Sequence, residues 1–266
     1  MLDIGKRLWL IGGTTESAVL AEEITSLGLP CTVTVTTAAA EALYLKTPFL
    51  RIWVGRLDVG QLEQFFQDER IAAVLDASHP YALEVSRMAI RAAADRQIPY
   101  LRFERPAVDA QADTSQIIEL DSFKTLLAGD YLYQQRVLFT IGYKALHLFC
   151  SWQDRSTLFA RILPSVASLE AATAAGFGSD RIIALRPPVT AELEKVLWHH
   201  WEISLVVTKA SGVAGGEDIK RAVAAELGIP LVIIARPSVE YPQQTSDIST
   251  ALEFCRSHIA SGSIRS

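Results

Sequence analysis

A glycine pair near the start of the chain has the pattern of a phosphate-binding turn. Gly12 and Gly13 follow the first apolar run, and Thr14, Thr15 and Glu16 open a helical pattern. A glycine pair lets the backbone turn sharply beside a ligand, and a helix N-terminus offers unpaired N–H groups to an anion. The order is not GxGxxG, so a plain strand-to-helix turn is the alternative interpretation.

The second β-branched run ends in Thr36 and Thr37, with no carboxylate before Glu41. A site for NAD usually places a carboxylate here to bind the ribose 2′-hydroxyl. Its absence favours NADPH over NADH if a dinucleotide binds. A partner for a 2′-phosphate would come from elsewhere, and Arg51 and Arg56 are the candidates.

A histidine follows another apolar run, in the sequence Asp76-Ala77-Ser78-His79-Pro80. An imidazole at the end of a strand can bind a ligand or transfer a proton. The alternative is a loop histidine held by backbone hydrogen bonds. No serine or cysteine triad and no metal-ligand spacing accompanies it, so we expect no metal.

Basic residues follow several other predicted strands, although the net charge is −5 and the pI about 5.6. They are Arg102, Arg105, Lys144, Arg161, Arg186, Lys209 and Arg236, with Tyr143 beside Lys144 and with Ser211 and Gly212 in a second glycine-rich turn. Cations gathered at strand ends focus positive potential on one cleft and suit a small polyanion. Solvated loop charge is the alternative for any one of them. The acidic balance argues against nucleic acid as a partner.

Short apolar runs and helical patterns alternate along the whole chain, which predicts an α/β protein with parallel sheets covered on both faces. The predicted strands are 7–11, 31–37, 50–54, 71–75, 100–103, 136–141, 157–162, 181–185, 203–208 and 231–235. The predicted helices are 15–27, 57–67, 82–96, 143–150, 165–175, 191–199, 217–227 and 248–259. We expect two sheets of about five strands each. An irregular stretch at 105–116 predicts a boundary between a domain at 1–106 and a domain at 107–266.

The composition is that of a globular chain, with 266 residues, 50% of them hydrophobic and 21% charged. The three cysteines are far apart and suggest neither a disulfide framework nor a zinc site. No apolar run approaches the ~20 residues that a membrane span needs. We therefore expect a cytoplasmic protein without a membrane partner.

Seven short motifs, taken in order, resemble the precorrin-6A reductase family of cobalamin biosynthesis, including its cobalt-precorrin-6A branch. They are IGGTTE at 11–16, DASHPYA at 76–82, PYLRFERP at 99–106, TIGYK at 140–144, RPP at 186–188, TKASG at 208–212 and IPLVIIARP at 229–237. Each motif is short, but the ordered set spans nearly the whole chain.

The resemblance implies two Rossmann-like domains with cofactor and substrate in the cleft between them. It implies hydride transfer from NADPH, with NADH possible, to a ring-contracted tetrapyrrole rimmed with carboxylates, giving precorrin-6B. The residues expected at the cofactor are Gly12, Gly13, Thr14, Thr15, Glu16, Thr36, Thr37, Arg56, Ser78, His79 and Pro80. Those expected at the substrate are Arg102, Tyr143, Lys144, Arg186, Lys209, Ser211 and Gly212. Lys209 or His79 would supply a proton or polarise the acceptor.

Without the family, the residues support only an α/β protein that binds a nucleotide and an anionic ligand. The main alternative is a non-catalytic two-domain sensor of a nucleotide or a tetrapyrrole. A tetrapyrrole enzyme without nicotinamide and a sugar-nucleotide enzyme are further alternatives. The pathway context also leaves open transient contact with neighbouring enzymes.

Overall fold

Two parallel β-sheets organise the part of the chain that the computed structural model describes, residues 5–105 and 115–259. Residues 5–105 and 238–259 form one compact unit, and residues 115–237 form a second. All the strand pairs found in these residues are parallel. The predicted α/β class with two Rossmann-like sheets is therefore confirmed.

Twelve strands lie in the described residues. They are β1 (Arg7–Ile11), β2 (Cys31–Val35), β3 (Leu50–Val54), β4 (Ile71–Asp76), β5 (Tyr100–Phe103), β6 (Ile117–Leu120), β7 (Arg136–Phe139), β8 (Thr157–Ile162), β9 (Ile182–Ala184), β10 (Leu205–Lys209), β11 (Leu231–Ile234) and β12 (Gln244–Thr245).

The α-helices that connect and cover these strands, again within the described residues, are α1 (Thr15–Ser26), α2 (Ala38–Glu41), α3 (Val59–Asp68), α4 (Leu83–Asp95), α5 (Phe123–Ala128), α6 (Val166–Ala174), α7 (Ala191–His200), α8 (Glu217–Leu227) and α9 (Ile248–His258). A 3-10 segment, Tyr143–Trp152, stands where a helix at 143–150 was predicted. Shorter 3-10 turns occupy Ser179–Arg181 and Val213–Gly215.

The two sheets share one topology in five of their strands. Their strand orders are β12-β5-β4-β1-β2-β3 and β6-β11-β10-β7-β8-β9, each with six strands rather than the expected five. The sixth strand differs, because β12 is the last strand of its sheet in the chain and β6 is the first of its own. In the first sheet, β2 lies on one side of β1 and β4 on the other, so the strand order reverses between β1 and β4. In the second sheet the strand order reverses in the same way between β7 and β10. Ligands of open parallel sheets bind beyond the carboxyl ends of the strands at such a reversal. The fold therefore marks one candidate position in each unit.

The last segment of the described chain belongs to the first unit, which corrects the assignment of all of 107–266 to a second domain. β12 pairs with β5, joining Gln244 to Arg102 and Thr245 to Phe103. α9 buries Ala251 and Phe254 in the core beneath that sheet. A two-residue polar strand has no hydrophobic periodicity, so no pattern in the sequence predicts where it pairs.

Burial on both faces explains why the central strands are apolar runs. Every residue of β1 is buried, and the Trp9 ring meets Phe65 and Phe66 of α3 edge-on, with centroids 5.2 and 5.5 Å apart. The indole N–H of Trp9 donates to Thr34 Oγ1 at 2.9 Å, so its polar atom is satisfied inside the core.

A charged cluster is buried at the carboxyl ends of β4 and β5. Asp76 is 0% exposed and Arg102 is 1% exposed, and Arg102 Nη1 donates to Asp76 Oδ1 at 2.9 Å. The other carboxylate oxygen accepts from Ser86 of α4 and from Tyr100, each at 2.6 Å. Burial and the Asp76 charge raise the pKa of the Tyr100 hydroxyl, which stays protonated and donates. The cluster ties β4, β5 and α4 together.

We expect Asp76→Asn to lower the free energy of unfolding by about 3 kcal/mol, because it leaves the buried Arg102 charge without its counter-ion. Urea unfolding followed by circular dichroism measures the change. Glu84→Ala is the matched control, since it removes the partner of an exposed ion pair with Arg56 and should change stability by less than about 1 kcal/mol. An equal, small loss in both variants would contradict this role for Asp76.

Candidate active site

The turn between β1 and α1 is open at one glycine and closed at the other. Gly13 is exposed with φ +97°, and a Cβ built on it meets nothing within 4 Å. A Cβ on Gly12 would lie 2.6 Å from Val33 Cγ2 and inside contact distance of Tyr44 Oη. Only Gly13 therefore gives a ligand room to approach the backbone, whereas Gly12 accommodates the protein's own side chains.

The N-terminus of α1 keeps two amides for a ligand. Thr14 and Ser17 form a capping box, in which each backbone N–H donates to the other side chain at 3.0 and 3.1 Å. The N–H groups of Thr15 and Glu16 have no acceptor among the described residues. Two unpaired amides at the positive end of a 12-residue helix, beside an open glycine, fit a phosphate group of a dinucleotide.

The end of β4 lies against this turn. Thr14 Oγ1 donates to the Ala77 carbonyl at 3.0 Å, across the reversal in strand order. Glu16 accepts from Arg105 Nη2 at 3.0 Å. These side chains and Ser78 line one small hollow at the carboxyl edge of the sheet. Arg105 was not among the predicted site residues, and its only sequence signal was a position two residues after β5.

The loop after β4 presents His79 outward and holds Ser78 inward. Ser78 is 5% exposed, its N–H donates to Asp76 Oδ1 at 3.0 Å, and its Oγ lies 3.0 Å from Arg102 Nη1. His79 is exposed, and its Nδ1 accepts the Tyr81 N–H at 3.3 Å, so the neutral ring carries its proton on Nε2. Pro80, the third predicted residue of this loop, is buried.

Arg102 is predicted to bind a substrate carboxylate, and the structure places its guanidinium inside the fold. All three guanidinium nitrogens bond within the fold: Nε to Glu104, Nη1 to Asp76 and Ser78, and Nη2 to the Ser78 carbonyl. The ring of Tyr241, from the returning segment, lies over it at 5.3 Å. A side chain that is 1% exposed and already bonded at every nitrogen positions the Ser78 loop instead.

The predicted ribose-side residues lie at the ends of β2 and β3. Thr37 caps α2 by accepting the Ala40 N–H at 3.2 Å, and Thr36 beside it is exposed. The Gly55 N–H donates to the Val35 carbonyl at 2.8 Å. The register pairs Val35 with Val54, so Arg56 lies at the level of Thr37, just beyond the ends of the two strands.

Two lysines occupy the reversal of the second sheet. Lys209 ends β10, and Lys144 lies in the 3-10 segment that follows β7, the strand paired with β10. Burial and the neighbouring Lys144 charge lower the pKa of Lys209 to about 8. The Lys209 ammonium also lies 5.9 Å from the ring centroid of Phe123. Two cations that repel each other at a strand-order reversal suit an anionic group placed between them.

The second glycine-rich turn is filled by the protein's own charges. Gly212 is buried, and its N–H donates to Glu217 Oε2 at 2.9 Å. Lys220, 2% exposed, donates to the carbonyls of Gly215 and Gly216 at 2.8 Å. Gly212 is predicted to bind substrate, and the structure places its amide on a carboxylate of the chain. Ser211 is half-buried beside Lys209, to whose carbonyl its N–H donates at 2.7 Å.

Arg186 and Tyr143 stand in different surroundings. Arg186 is exposed after β9, an edge strand two positions from β7, so roughly 10 Å separates the two strands. The structure therefore does not gather Arg186 with Lys209. Tyr143 is half-buried against the core of the second unit and directly precedes Lys144.

The described residues form neither a candidate metal centre nor a candidate membrane span. No group of three or more His, Cys, Asp or Glu side chains in 5–105 and 115–259 could hold a metal ion. No described helix is long and apolar enough to cross a membrane. Of the cysteines, Cys31 and Cys255 are buried thiols and Cys150 is an exposed one.

Known proteins resemble this chain along nearly its whole length. A cobalt-precorrin-6A reductase of Synechocystis sp. is 44% identical over 98% of this chain and 100% of its own length. One from Priestia megaterium is 32% identical over 87% of this chain and 91% of its own length. A precorrin-6A reductase of Rhodobacter capsulatus is 30% identical over 93% of both chains.

A solved structure, CobK precorrin-6A reductase, superposes with a TM-score of 0.77 at 25% identity, covering 95% of this chain and 97% of that one. The family model described as "Precorrin-6x reductase CbiJ/CobK" matches residues 7–256. The resemblance drawn from the seven motifs is thereby confirmed. The chain belongs to the precorrin-6x reductase family, and it is an oxidoreductase of cobalamin biosynthesis.

Proposed function

We propose that this chain reduces the cobalt-containing macrocycle, cobalt-precorrin-6A, with NADPH as the preferred reductant. The observation that carries the proposal is that each sheet has a strand-order reversal with groups suited to an anion. The first reversal has an open phosphate-binding turn, and the second has two lysines. The preference for the cobalt form rests on the relatives, since the one at 44% identity carries that name.

The first unit would hold the cofactor through its backbone. The Thr15 and Glu16 amides would bind a phosphate oxygen, with Gly13 leaving room for it. Arg105 bonds Glu16 and so balances the carboxylate next to that phosphate. Absence of a carboxylate at the end of β2, with Arg56 just beyond the end of the neighbouring β3, supports a 2′-phosphate and therefore NADPH. When bound, the reduced nicotinamide supplies a hydride.

The second unit would hold the substrate through charge. The Lys144 and Lys209 ammonium groups would bind carboxylates on the rim of the macrocycle. The negative charge would favour the protonated form of Lys209, against the lowering of its pKa by burial and by Lys144. A proton must accompany the hydride so that the product gains two hydrogens. Water would supply that proton, and the neutral His79 ring, whose Nδ1 accepts a backbone N–H, would polarise the acceptor through a hydrogen bond from Nε2–H.

The reaction itself is tested by an anaerobic assay with enzymatically prepared cobalt-precorrin-6A and precorrin-6A, each with NADPH or NADH. We expect oxidation of NADPH, a two-hydrogen mass gain in the product, and a higher kcat/KM for the cobalt form. Faster turnover of precorrin-6A would make the cobalt-free macrocycle the preferred substrate. Equal use of NADH would contradict recognition of a 2′-phosphate. Binding of NADPH without turnover of either macrocycle would favour a sensor.

The phosphate turn is tested by Gly13→Val, which fills the open side of the turn and strains its backbone. We expect the Kd for NADPH to rise by more than about tenfold, because the added methyls occupy ligand space. Gly28→Val is the matched control: its φ is +71° and a Cβ built there meets only Phe49 Cζ, at 3.8 Å, but it lies at the other end of α1. Weakened NADPH binding in both variants would mean that the substitutions act by destabilising the fold and not by filling ligand space.

The pH dependence of substrate capture tests Lys209. Its amine must be protonated to bind a carboxylate, and its pKa is about 8, so kcat/KM should fall as the pH rises above about 8. Lys209→Arg keeps the charge at high pH and should remove that decline. Lys124→Gln, at an exposed position of α5, is the control and should leave the pH profile of kcat/KM unchanged. A decline that persists in Lys209→Arg would assign the titration to another group, such as Lys220, whose pKa is also about 8.

A further inference from the structure

Tyr44 lies in the connection between α2 and β3, and it reaches the phosphate turn. It is 6% exposed, and its hydroxyl accepts the Gly13 N–H at 2.7 Å. The same oxygen lies 2.6 Å from Ser17 Oγ. Because Ser17 Oγ donates its own hydrogen to the Thr14 carbonyl at 2.7 Å, the Tyr44 O–H is the donor to Ser17.

The hydroxyl of Tyr44 also explains the first glycine of the pair. A Cβ on Gly12 would collide with Tyr44 Oη and lie 2.6 Å from Val33 Cγ2. The space beside Gly12 is thus filled from within the protein. The glycine pair serves two neighbours: Gly12 makes room for Tyr44, and Gly13 makes room for a ligand.

The contacts of Tyr44 divide the amides of the turn between protein and ligand. The Gly13 N–H is held by Tyr44, and the Thr14 N–H by Ser17. The amides of Thr15 and Glu16 are the next two along the chain and have no acceptor among the described residues. Burial raises the pKa of the Tyr44 hydroxyl, so it stays a neutral donor and brings no negative charge to the turn.

Tyr44 also connects two parts of the cofactor site that are far apart in sequence. Its segment follows Thr36 and Thr37 at the end of β2, where a dinucleotide's ribose is recognised in this kind of sheet. Its hydroxyl ends on the turn that follows β1. The segment that follows the ribose side therefore bonds the phosphate side through one hydroxyl group.

We propose that Tyr44 is a positioning residue for the dinucleotide: its hydroxyl holds the Gly12–Thr14 turn so that the Thr15 and Glu16 amides face the phosphate. This role rests on the proposed function, because it concerns the same cofactor site. The proposed role of Tyr44 involves no contact with a reacting atom. Its effect falls on the affinity for the dinucleotide rather than on the chemical step.

The test is Tyr44→Phe, which removes one oxygen and keeps the ring that packs in the core. We expect the Kd for NADPH, measured by its fluorescence, to rise about tenfold, which is the scale of one lost hydrogen bond. Both kcat at saturating NADPH and KM for the tetrapyrrole should stay within about twofold. Without nucleotide, hydrogen exchange of the amides at 12–14 should become faster.

Thr25→Val is the matched control, because Thr25 is also 6% exposed and its hydroxyl bonds only carbonyls within α1. It should lower Tm without changing the Kd for NADPH. An unchanged or tighter Kd in Tyr44→Phe overturns the proposal, as does an equal rise in Thr25→Val. A wild-type chain that binds neither NADPH nor NADH removes the proposed cofactor site, whereas failure of Tyr44→Phe alone leaves that site in place.

Discussion

The buried ion pair between Asp76 and Arg102 is the constraint on which the first unit depends. Two opposite charges without solvent are tolerable only when each remaining polar atom is bonded. Ser86, Tyr100 and the Ser78 loop supply those bonds. Because these partners come from β4, β5 and α4, satisfying one charge pair fixes the carboxyl edge of the sheet. The loop that carries His79 inherits its position from this requirement.

Two glycine-rich turns look equivalent in sequence and differ in what they can bind. At the first, Gly13 is open and the next two amides have no acceptor among the described residues. At the second, Glu217 and Lys220 bond the backbone from within. A helix N-terminus attracts any carboxylate within reach, including one of its own. The anion site proposed for the second unit therefore rests on side chains, those of Lys144 and Lys209.

The first turn shows how a loop can be rigid and still open. Tyr44 and Ser17 bond the side of the turn that faces the core, so the turn need not collapse to satisfy its own amides. The opposite side keeps the groups that a phosphate needs. Such preorganisation lowers the cost of binding, because little backbone has to be ordered when the ligand arrives. The same division of roles explains why two adjacent glycines are required for different reasons.

The sequence by itself determined the α/β class, most strands and helices, and the family, because alternating apolar runs and ordered motifs are local features. α8 begins and ends at the predicted residues, 217 and 227. Only the tertiary structure decided that the end of the chain returns to the first sheet, since β12 has two polar residues and no periodicity. It also showed Arg102 and Gly212 bonded within the fold, and it brought Tyr44 and Arg105 to the turn after β1. Those outcomes depend on which groups meet across the fold, and hydrogen-bond partners distant in the chain leave no pattern in composition or spacing.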